Sequence, residues 1–85
     1  MNYVLAVFSN RTHTIQFNRL LKKHNIPCSI ISTPRELSVS CGLSVKFGYY
    51  SLSRASLLIN EYRLNSFTNF YLVTSNGFKN NYKVL

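Results

Sequence analysis

Residues 3–8, Tyr-Val-Leu-Ala-Val-Phe, are an unbroken apolar run of aromatic and aliphatic side chains. The run is strand-length and apolar on both faces, which predicts an interior strand of a sheet. A helical segment follows directly. Ser9, Asn10, Arg11 and Thr12 offer polar capping groups, and from Thr12 to His24 the positions Phe17, Leu20, Leu21 and His24 recur at i, i+3, i+4 and i+7. Asn18, Arg19, Lys22 and Lys23 fall on the opposite face. Asn25 can adopt the left-handed conformation that closes a helix, and Pro27 cannot continue one.

Residues 28–33 read as a second strand that Pro34 closes, since proline cannot donate to a ladder. After a serine-rich turn, Leu43, Val45 and Phe47 alternate with Ser44 and Lys46, the period of a strand with one buried face. These two strands predict a hairpin whose long connection holds Cys41. Gly48 interrupts the alternation, and over residues 51–64 the positions Leu52, Ala55, Leu58, Ile59 and Tyr62 fit a second amphipathic helix, with Arg54, Asn60 and Arg63 toward water. A further strand covers Asn69 to Thr74, Asn76-Gly77 predicts a type I′ turn, and residues 78–85 return as an extra C-terminal edge strand. The order βαββαβ describes an α+β, ferredoxin-like two-layer sandwich, a single domain over residues 1–85 with no linker or repeat.

An 85-residue chain with 46% apolar residues, six Tyr and six Phe has enough bulk for one core without disulfides or metal. No apolar run approaches the ~20 residues that span a bilayer, and no basic segment leads into an apolar one with a cleavage site, so a cytoplasmic location is expected. With two cysteines, Cys28 and Cys41, a secreted disulfide framework is not expected and both are expected as free thiols. Ten Lys and Arg against two carboxylate side chains give a formal charge of +8, which favours anionic partners. The cations are scattered along the chain, as on a solvated surface.

Few constellations carry chemistry. His13 and His24 are too far apart to share a metal from one helix, and no further cluster completes a site, so neither metal nor cofactor is expected. Glu36 and Glu61 show no paired acid–base arrangement, and the cysteine spacing is not that of a dithiol redox motif. A cysteine–histidine nucleophile would need His13, which faces the loops from a helix start, because His24 lies on an apolar face. Cys28 opens an apolar strand and reads as core filler. Cys41 differs, because it stands between Ser40 and Gly42, small neighbours that would leave a sulfur open to approach. Arg35 or Lys46, if near that sulfur, would favour its thiolate, and Ser38 and Ser40 hydroxyls could donate to it. Gly42 would leave its N–H open to an adduct and permits unusual φ angles. The same residues also suit a plain turn, with Cys41 as a small side chain starting a strand.

The segment from Pro34 to Phe47, with Pro34, Arg35, Ser38, Ser40, Cys41, Gly42, Leu43, Lys46 and Phe47 in this order, resembles the DUF3343 family of short bacterial proteins. That family is described as selenium or sulfur carrier-like. The resemblance covers the preceding βα segment and weakens after Tyr50. The chain departs from it at Asn18, where an acidic residue is usual, and at Asn25, where glycine is usual. The resemblance implies a carrier rather than an enzyme, with Cys41 as the carrier thiol that accepts and hands on a persulfide or selenium adduct. Arg35, Ser38, Ser40, Gly42 and Lys46 support it, and the implied partners are sulfur or selenium donor and acceptor proteins, with no membrane and no oligomeric state specified. Two alternatives stand beside this reading. An RNA-recognition-like module shares the βαββαβ order and stacks bases on aromatics, for which Tyr3, Phe47, Tyr49 and Tyr50 are candidates, although Lys46 to Tyr50 lacks the expected glycine spacing and Phe47 shares phase with the core. A small adaptor pairing through a sheet edge is the other.

Overall fold

The computed structural model describes residues 2–37 and 41–85. Its elements follow in the order β1 (Asn2–Phe8), α1 (Arg11–Lys23), β2 (Cys28–Ser32), β3 (Leu43–Phe47), α2 (Leu52–Glu61), β4 (Phe67–Ser75) and β5 (Asn80–Val84). Single 3-10 turns lie at Arg35–Leu37 and Tyr49–Ser51. The strands form one antiparallel sheet in the order β2-β3-β1-β4-β5. Five antiparallel strands and two helices are compatible with a ferredoxin-like α+β sandwich, and β5 pairs along β4 as the added edge.

The interior strand is where the apolar run requires it. β1 lies between β3 and β4, and Val4 to Phe8 are all fully buried. Val4, Ala6 and Phe8 share a core with Phe17, Leu20 and Leu21 of α1 and Ala55, Leu58 and Ile59 of α2, so both helices pack on this one face. Leu5 and Val7 point the other way, Leu5 in register with Lys46 and Tyr71 and Val7 with Ser44 and Asn69.

Five phenylalanines close a circuit through this core. Phe8 meets Phe17 at 5.3 Å and Phe67 at 5.5 Å between ring centroids, and Phe17 meets Phe47 at 6.2 Å. Phe70 completes it against Phe47 at 5.9 Å and Phe67 at 4.6 Å. The rings are tilted or edge-on, the arrangements their quadrupoles favour. The circuit ties α1 to three strands.

Helix ends follow from local chemistry. The Asn10 side chain accepts from the His13 N–H at 2.8 Å, capping α1. At the other end Asn25 takes φ 61°, and the Ile26 N–H returns to the Leu21 carbonyl at 2.9 Å. Asn25→Ala should therefore lower the unfolding free energy by about 1 kcal/mol, the cost of a Cβ in the left-handed region, whereas Asn25→Gly should not. Urea denaturation of the two variants measures it.

Three expectations need correction. α2 ends at Glu61, short of residue 64, because Arg63 takes φ 52° and the Leu64 N–H turns back to the Ile59 carbonyl at 3.1 Å. Tyr62 consequently faces outward, 38% exposed, and Leu64 fills the core in its place. β4 begins at Phe67, since a register shift between Val7 and Phe8 lets Phe67 pair with Phe8. The β4–β5 connection is not a two-residue type I′ turn. It spans residues 76–79, only Gly77 has positive φ (99°), and the Asn76 side chain instead accepts from the Lys79 N–H at 3.1 Å.

Candidate functional site

Cys41 stands two residues before β3, in phase with Leu43, Val45 and Phe47. Val45 and Phe47 belong to the helix-side core, and Cys41 points the same way, toward the first turns of α1. Its Sγ lies 3.7 Å from Oγ1 of Thr14, a fully buried residue whose hydroxyl also donates to the Asn10 carbonyl at 3.0 Å. In the neutral state the thiol is thus the donor to Thr14 Oγ1. A thiolate would reverse the polarity, with the hydroxyl turning from Asn10 to the sulfur.

Cys41 is 7% exposed, which corrects the expectation that small neighbours leave its sulfur open. The cause is strand phase, which directs the side chain inward whatever the size of its neighbours. The next residue is open, on the opposite side of the chain. Gly42 is exposed, a Cβ built on it would meet nothing within 4 Å, and its carbonyl accepts from the Thr33 N–H at 2.9 Å. Its φ lies outside the left-handed region, so no unusual backbone angle explains the glycine.

Of the other candidates, Lys46 is directed away from this sulfur. Arg35 is exposed on the 3-10 turn that follows β2. Lys46 belongs to the opposite face of the sheet, with its Nζ 4.4 Å from the centre of the Tyr3 ring. Five residues of extended chain separate it from Cys41, about 16 Å at the usual rise. Ser38 and Ser40 lie outside the described residues. His13 engages Ser66, whose N–H donates to Nδ1 at 3.3 Å and whose Oγ lies 2.6 Å from it. The His24 carbonyl accepts from Arg54 at 3.0 Å, while its Nε2 is buried without a partner among the described residues. Among the described residues the side-chain partner of Cys41 is a threonine, while His13 is engaged by Ser66. Among the described residues no group of three His, Cys, Asp or Glu is arranged to hold a metal.

Thr14 was the residue to look for beyond the cysteine motif. It precedes Phe17 by three positions and so lies on the inward stripe of α1, a polar side chain on an apolar face.

Cys28 is half-buried, packs against the core and donates from Sγ to the Asn18 carbonyl at 3.4 Å. Burial pushes its thiol pKa up, opposed in part by Lys22. Cys28 should accordingly alkylate more slowly at neutral pH than an unperturbed cysteine, and its rate should climb only above the ordinary thiol range. Peptide-resolved iodoacetamide labelling across pH measures this.

Among the described residues no helix is long and apolar enough to cross a membrane. Comparison with curated proteins and with solved structures gives no match. A family model does match, over residues 3–68, from β1 through the opening of β4. That span holds Thr14, Cys41 and the whole connection between β2 and β3. The chain belongs to the family described as "Putative Se/S carrier protein-like".

Proposed function

We propose that this chain is a cytoplasmic sulfur or selenium carrier of ferredoxin-like fold, in which Cys41 accepts an adduct from a donor protein and hands it to an acceptor. The observation that carries the reading is the Cys41 sulfur beside the Thr14 hydroxyl in the first turns of α1. A carrier thiol must ionise in order to attack, and a hydroxyl that can turn toward it stabilises that charge. Helix starts favour negative charge by the same logic.

The transfer conserves electrons. The Cys41 thiolate attacks the outer sulfur of a donor persulfide R–S–SH, the S–S bond of the donor breaks, and R–S⁻ leaves as a thiolate that takes up a proton. Cys41 then carries S–SH. A nucleophile of the acceptor attacks the same outer sulfur, and the Cys41 thiolate leaves. No external oxidant or reductant takes part. Selenium transfers by the same displacement. A 7% exposed position shields the loaded sulfur from small thiols between encounters.

Incubation with a persulfide donor, followed by peptide mass spectrometry, tests the proposal. One added sulfur is expected on the Cys41 peptide and none on the Cys28 peptide. An unmodified Cys41 under conditions that load an established carrier would reject it.

A further inference from the structure

The end of the fold opposite Cys41 gathers a second set of features. β1 and β2 begin there, α1 and β3 finish there, and α2 starts there. A cavity of about 330 Å³ opens at this end, lined by residues including Asn2, Tyr3, Cys28, Ser29, Lys46 and Gly48. Lys46 holds its ammonium over the Tyr3 ring at the cavity wall. Tyr49 and Tyr50 follow Gly48 in the chain, 53% and 83% exposed. The Tyr50 ring lies against Gly48 of the cavity wall, where a Cβ would come within 2.8 Å of a ring carbon.

Charge is distributed unevenly along the same axis. Lys22 and Lys23 close α1 at this end, Arg54 lies in the first turn of α2 and reaches the His24 carbonyl, and Lys79 is in the β4–β5 turn. The Lys22 charge partly opposes the effect of burial on the thiol of Cys28, in the cavity wall. Both carboxylate side chains are at the other end, Glu36 after β2 and Glu61 at the last residue of α2. The positive charge beside the cavity therefore has no acidic side chain to offset it locally.

We propose that this end of the fold binds single-stranded nucleic acid, with bases stacking on Tyr50 and Tyr49 and backbone phosphates meeting Lys46, Lys22 and Lys23. Exposed aromatic rings interleaved with cations are what an unpaired strand requires, because every base has a π-face and every nucleotide a negative charge. Tyr3 has a positioning role, fixing the Lys46 ammonium at the cavity through its ring. The surface is distinct from that of an RNA-recognition module, since Phe47 is buried on the helix side and contributes no stacking face.

Fluorescence anisotropy with labelled oligouridine and oligodeoxythymidine, on the full chain over a range of salt, tests the proposal. Binding of either oligomer is expected, weakening steeply with salt. Tyr50→Ala should weaken it about tenfold and Tyr50→Phe should not, since stacking needs the ring and not the hydroxyl. Lys46→Ala should weaken binding and lower the salt slope by about one. Arg63→Ala, at the Cys41 end, should leave both unchanged. Absence of binding to both oligomers at low salt would overturn the proposal, and so would equal losses in Lys46→Ala and Arg63→Ala, which would reduce the effect to net charge.

Discussion

Phe17→Ala is expected to destabilise the protein by about 4 kcal/mol, within the range for deleting a buried aromatic ring. Phe17 is fully buried and contributes two of the five contacts in the phenylalanine circuit, to Phe8 on β1 and Phe47 on β3. Truncation opens a void that two rigid strands cannot collapse to fill, so the transfer and cavity costs add. For a domain of this size the loss is a third or more of the usual stability and lowers the midpoint of thermal unfolding by roughly 15–30 °C. Phe78→Ala supplies the contrast, because Phe78 is fully exposed on the β4–β5 turn and its loss should shift stability by less than about 0.5 kcal/mol. Urea and thermal unfolding of the pair measure both effects, and equal stabilities would remove the circuit as the basis of the core.

The layout of the core was legible where hydrophobic period and local backbone chemistry agreed. An apolar run with no polar face could only be an interior strand, and β1 is flanked on both sides. The stripe Phe17, Leu20, Leu21 faces the sheet, and Asn25 ends α1 in the left-handed conformation its side chain tolerates. The end of α2 was illegible for the converse reason. Arginine carries no preference for positive φ, yet Arg63 occupies that region because packing Leu64 into the core requires the chain to turn there.

The candidate site divides in the same way. Its cysteine could be found from its motif, but the direction of Lys46 was missed. Lys46 is near Cys41 in number, and alternation along β3 sends it to the other face, where Tyr3 holds it. Nearness in sequence is a poor guide along a strand, whose successive residues diverge to opposite faces. The inward direction of Cys41 follows from the same alternation, since it shares odd numbering with Leu43, Val45 and Phe47. Thr14 reaches the sulfur from 27 positions away, through the packing of α1 on the sheet.

Cys41→Ser should abolish loading by a persulfide donor, and Cys28→Ser should leave it at the wild-type rate. The asymmetry rests on environment. Both sulfurs are at least half-buried, but Cys28 donates to a backbone carbonyl, an acceptor that can give nothing back to a thiolate. Cys41 faces a hydroxyl, which can act as donor once the proton has gone. Thr14→Val keeps the shape of the side chain and removes that donor. It should slow loading by roughly tenfold, the worth of about 1.4 kcal/mol and at the lower edge for a hydrogen bond to a charged group. Thr14→Ser should restore the rate, which separates loss of the hydroxyl from disturbance of packing at the start of α1. Single-turnover loading followed by mass spectrometry, with urea unfolding of each variant as a control, decides the matter. If Thr14→Val loads as fast as wild type while Cys41→Ser is inactive, the sulfur is the carrier but the hydroxyl has no part in ionising it.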